Sequence, residues 1–77
     1  MQPNYLDRIS SDPQICHGKV CIKGTRIMVS IILANLASDI PEAEILRNYP
    51  PLTHEDILAA LEYASHLAQE EIIPLAG

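Results

Sequence analysis

Two glycines, Gly18 and Gly24, bracket the short run Val20-Cys21-Ile22, and an apolar stretch opens just beyond them at Ile27. Glycine takes positive φ with no Cβ penalty, so each of the two marks a tight turn. The β-branched run between them suits a strand. A strand held between two turns cannot belong to a continuous helix. The first third of the chain is therefore expected to fold as a short strand or hairpin that feeds a helical body. Lys19, Lys23 and Arg26 give that hairpin basic edges.

The helical body divides into three. Val29, Ile32, Leu33, Leu36 and Ala37 recur at helical spacing, which predicts a first helix over 29–38. Asp39-Ile40-Pro41 interrupts it, and Pro41 fits the first turn of a second helix running to Asn48. Glu42 and Glu44 lie near its N-terminus, where the helix dipole favours acids. Pro50-Pro51 ends it. Thr53 can cap a third helix, with Asp56 as the capping-box carboxylate and Leu52 and Ile57 at the two staple positions. Ile57, Ala60, Leu61, Ala64, Leu67 and Ala68 form its expected apolar face, and the helix can reach Glu70. Its expected exposed residues are His54, Glu55, Asp56, Glu62, Tyr63 and His66.

The chain reads as one domain: a basic strand or hairpin segment over 1–28, a three-helix bundle over 29–70 and an apolar tail over 71–77. Seventy-seven residues without tryptophan or phenylalanine leave the core short of large anchors. That favours an oligomer or a complex subunit, and a homodimer is expected. Ile72, Ile73 and Leu75 in the tail suit docking, onto this chain or onto a partner. The N-terminal stretch lacks the apolar segment of a signal peptide, and no apolar run is long enough for a membrane span, so the reading is cytoplasmic. Residues 1–30 carry a net charge of +2 and residues 31–77 a net of −7. An acidic chain is a poor bulk binder of nucleic acid, so any such contact falls to the basic N-terminal third.

No catalytic constellation emerges. Cys16, His17 and Cys21 lack the second close pair that a zinc site wants, and nothing near Cys16 and His17 would orient a nucleophile. Gly18 and Gly24 are not followed by the Lys-Ser/Thr ending of a phosphate loop. The expectation is a non-enzymatic protein with no metal and no cofactor. Three short helices with tight links suggest a helix-turn-helix with residues 53–68 in the recognition position, but that segment holds no Lys or Arg to read bases or phosphates.

Gly18-Lys19-Val20-Cys21-Ile22-Lys23-Gly24-Thr25-Arg26-Ile27, followed by Tyr49-Pro50 with Leu52-Thr53, resembles the signature of the bacterial family of unknown function numbered 433. Further matches are Ile9 to Pro13, Glu44-Ile45-Leu46, Glu55-Asp56-Ile57 and Ala59-Ala60-Leu61 with Tyr63-Ala64. The resemblance implies a mainly α fold: a homeodomain-like, three-helix helix-turn-helix bundle preceded by a short N-terminal β-strand or hairpin. It also implies an antitoxin of a toxin–antitoxin pair, neutralising a PIN-like ribonuclease. The alternative is a DNA-binding transcriptional autoregulator. Two departures from the family pattern stand out. Val20 replaces a usual proline, which should loosen the hairpin, and Asp39 stands where a helix-ending glycine is common, so it would take the left-handed conformation at some cost. The candidate partner- or nucleic-acid-binding residues are Lys19, Lys23, Thr25 and Arg26, with Ile72, Ile73 and Leu75 in the tail. Arg26 offers a bidentate fork, either to an acid within the fold, Asp12 being one, or to a partner. Gly18, Gly24, Pro50, Thr53 and Asp56 are expected to be structural.

Overall fold

A computed structural model describes the backbone of residues 5–70 and, within it, every side chain except those of 15–17 and 70. A 3-10 turn (Tyr5–Arg8) leads into strands β1 (Ile9–Asp12) and β2 (Ile15–Ile22), followed by helices α1 (Val29–Ala37), α2 (Glu42–Asn48) and α3 (His54–Glu70). The protein is mainly helical, with three helices and a short two-stranded antiparallel hairpin at the N-terminal end.

The hairpin turn is not at either glycine. It lies at Pro13-Gln14, where Asp12 Oδ1 accepts the Gln14 N–H at 2.8 Å. Ile9 pairs with Ile22, Ser10 with Cys21 and Ser11 with Val20, but Asp12 pairs with Ile15. Residues 16–19 are thus extra on β2 and bulge out of the ladder. Gly18 sits in that bulge at φ 81°, and its carbonyl accepts the Ser11 hydroxyl at 2.7 Å. The positive φ is what calls for glycine, because a Cβ there would meet Pro13 only at an ordinary 3.7 Å. Val20, in place of proline, simply continues the ladder opposite Ser11.

Gly24, at φ 82°, takes the third position of a turn closed by the Thr25 N–H on the Ile22 carbonyl at 3.0 Å. Since Lys23 keeps a negative φ, this is a type II turn. The chain then doubles back, with the Ile22 N–H on the Ile27 carbonyl and Cys21 bridged to Met28. Val29 follows at once as the first residue of α1.

Helix α1 ends at a Schellman motif. The Ile40 N–H reaches the Asn35 carbonyl and the Asp39 N–H the Leu36 carbonyl, both at 3.0 Å. Asp39 sits at φ 63°, doing the work for which glycine is usual. Pro41 is the N-cap of α2, one position earlier than its expected place in the first turn. The core gathers Ile22, Val29, Ile32, Ile45, Leu52, Ile57 and Ala60, so every helix and β2 contribute to one cluster. Leu52 and Ile57 are both in it, as a hydrophobic staple requires.

The buried face of α3 differs from its expected one. Ala59 is fully buried, and Asp56 is only 4% exposed, whereas Leu61 and Leu67 are 46% and 42% exposed. Tyr63 is half-buried against the core instead of facing solvent. The N-terminal half of the helix packs, with Asp56, Ala60 and Tyr63 aligned at helical spacing. Leu67 continues that line past the point where the described residues cover it.

Candidate functional site

The turn that carries Gly24, Thr25 and Arg26 is fixed from within. The Thr25 hydroxyl donates to the Ile22 carbonyl at 2.8 Å and accepts the Ile27 N–H at 3.0 Å. This side chain replaces missing backbone pairing across the turn, so the type of residue at 25 follows from the fold. Lys19, Lys23 and Arg26 are exposed on the hairpin and its turn. The structure therefore brings these three cations to the solvent face of one small element.

An arginine clamps an acid within the fold: Arg8 holds Asp56. Arg8 Nη1 lies 3.1 Å from Asp56 Oδ1. Asp56 Oδ2 accepts the Thr53 N–H at 3.0 Å and the Thr53 hydroxyl at 3.2 Å. One buried carboxylate thus caps α3 and ties the 3-10 turn to it. The buried side chain leaves no unsatisfied polar atom among the described residues. Arg8 carried no signal of this role in the sequence: it lies 48 positions from Asp56, outside any motif.

A second cluster is acidic. Glu42 opens α2, and both its carboxylate oxygens lie within 3.0 Å of His54 Nδ1 at the start of α3. That contact places two helix N-termini side by side, with exposed Glu55 next to His54. Glu44 pairs with Arg47 at 3.5 Å and Glu62 with His66 at 3.3 Å, both along their own helices. No Lys or Arg occurs in α3. Ile72, Ile73 and Leu75 lie outside the described residues, as do the side chains of Cys16 and His17. Cys21 is a buried thiol, 1% exposed. No helix among the described residues is long and apolar enough to cross a membrane.

A family model, DUF433, described as a protein of unknown function, matches residues 9–64. The matched span takes in the hairpin, the turn, α1, α2 and the packed half of α3. The chain is also similar to a solved structure, the crystal structure of a DUF433 member protein from Anabaena variabilis ATCC 29413 at 2.00 Å resolution. The two share 36% sequence identity with a TM-score of 0.74, over 82% of this chain and 62% of that one. The chain thus aligns with less than two thirds of the length of that relative. No curated protein matches the chain.

Proposed function

This chain belongs to the DUF433 family, and from that premise we propose that it is a non-enzymatic protein-binding module, the antitoxin of a pair whose toxin is a PIN-like ribonuclease. The observation that carries this reading is the acidic pole at the adjoining N-termini of α2 and α3. Glu42, Glu44 and Glu55 stand there on rigid helices, with His54 holding Glu42 in place. A ribonuclease must attract a polyanion, so its groove is expected to be basic, and a rigid acidic surface is the complement that blocks it. The half-exposed Leu61 and Leu67 lie further along the same helix and supply apolar surface for the contact. The chain works as a homodimer in this scheme, because its core lacks large aromatic anchors. Charge reversal tests the proposal. Glu42→Lys together with Glu55→Lys should weaken the nuclease complex at least about tenfold, chiefly through slower association at low salt. Unchanged affinity would remove the acidic pole from the interface.

A second reading has its own support. Helices α2 and α3 are joined by the short segment 49–53, which suits a homeodomain-like helix-turn-helix, and Lys19, Lys23 and Arg26 are exposed outside it. In that reading the chain also represses its own operon, touching DNA through the hairpin and not through α3. Its binding should fall steeply with salt, and no shift of an upstream promoter fragment at low salt would end it.

A further inference from the structure

Arg8 is held by a buried acid while much of its own side chain stays exposed. Its side chain is 45% exposed, while the Asp56 side chain beneath it is 6% exposed. Among the described residues, that carboxylate is the sole side-chain partner of Arg8. A guanidinium carries five N–H donors in a rigid fork, so one bond to Asp56 fixes its orientation and leaves most of the fork unspent. Long surface arginines ordinarily lose several rotamers on binding a ligand. Here the buried acid has already ordered the group.

Lys23 stands next to it. The Lys23 N–H donates to the Arg8 carbonyl at 2.7 Å, just beyond the Ile9–Ile22 pair. That bond joins the two backbones where β1 begins and β2 ends, and Arg8 and Lys23 are both exposed at this edge. The Thr25 bonds that lock the Gly24 turn also fix where Lys23 stands. Asp7, exposed and next to Arg8 in the 3-10 turn, opposes the edge and keeps its affinity modest.

We propose that Arg8 and Lys23 form a phosphate clamp for the backbone of duplex DNA, with Asp56 holding the Arg8 fork in place. The fork meets two oxygens of one phosphate, and the ammonium adds a point charge beside it. Lys19, exposed on the same hairpin, extends the edge, which suits a polyanion better than a single carboxylate. The proposal rests on the second reading above and adds Arg8, which that reading did not include.

The test is a titration of the full, nitrogen-15-labelled chain with a mixed-sequence DNA duplex of about 20 base pairs, two helical turns. The Arg8 Nε–H and Lys23 amide resonances should move together. Lys23→Gln, which leaves the Arg8–Asp56 pair intact, should lower the slope of log affinity against log salt by about 1. Arg8→Lys keeps the charge but loses the fork, and it should weaken binding several-fold with circular dichroism unchanged. Binding with Arg8 unmoved, and with the slope of Lys23→Gln equal to that of the parent, would overturn the clamp and leave the DNA reading standing. A duplex that shifts no resonance would overturn both. Equal shifts with polyglutamate at the same salt would assign the edge to carboxylates and overturn the phosphate clamp.

Discussion

Asp56 accepts three hydrogen bonds while almost wholly buried: one from Arg8 and two from Thr53. Its removal costs a helix cap and uncouples the 3-10 turn from α3. Arg8 is half-exposed, so its ion pair is worth less than a fully buried one. Asp56→Ala should lower stability by about 2 kcal/mol, and Arg8→Ala by about 1–2 kcal/mol, because the carboxylate then stays buried with one donor fewer. The double variant should cost clearly less than the two single changes together, as urea denaturation at constant m would show. Fully additive losses would mean that the two side chains act separately. At Asp39 the expected sign is the opposite. Its φ of 63° suits glycine, so Asp39→Gly should raise stability by about 0.5–1 kcal/mol, a few degrees in Tm for a chain of this size. A lower Tm would mean that the aspartate side chain contributes something beyond the turn.

At the scale of elements, the three helices were legible because their punctuation is chemical: Pro41, Pro50-Pro51 and the Thr53 cap each act within a turn or two. The strand pairing was not. The glycine pair correctly pointed to positive φ, but nothing local distinguishes a bulge at Gly18 from a hairpin turn, since that depends on which residues of β1 lie opposite. In sequence, Asp56 reads both as the capping-box acid and as part of the solvent face of α3. The box is local and held. Its burial depends on Arg8, 48 positions away, and on the way the 3-10 turn covers the helix start. Likewise Leu61 and Leu67 have the right period to be core, but among the described residues only the first half of α3 has a body to pack on. Ile57→Ala should therefore cost about 2–4 kcal/mol, whereas Leu67→Gln should stay within about 0.5 kcal/mol. Thermal unfolding of the two variants checks the contrast, and similar losses would show that the far half of α3 is packed in solution.

On the scale of the whole molecule, the exposed basic cluster and the acidic one fall in different elements. Lys19, Lys23 and Arg26 are exposed on the hairpin and its turn, while Glu42 and Glu55 meet at the N-termini of α2 and α3. In the proposed readings the acidic cluster serves a basic protein and the basic one a polyanion, and both associations should weaken as salt rises. A homodimer would double each surface. Sedimentation equilibrium should find a mass near twice 8.5 kDa, and a monomer at all concentrations would contradict the pairing. The central claim is that the acidic pole serves a nuclease partner. It is tested most directly by capturing the tagged full chain from its native host at moderate salt, after nuclease treatment, and identifying what is bound by mass spectrometry. An antitoxin should bring down a small PIN-like ribonuclease in stoichiometric amount. Recovery of the chain alone would contradict that role.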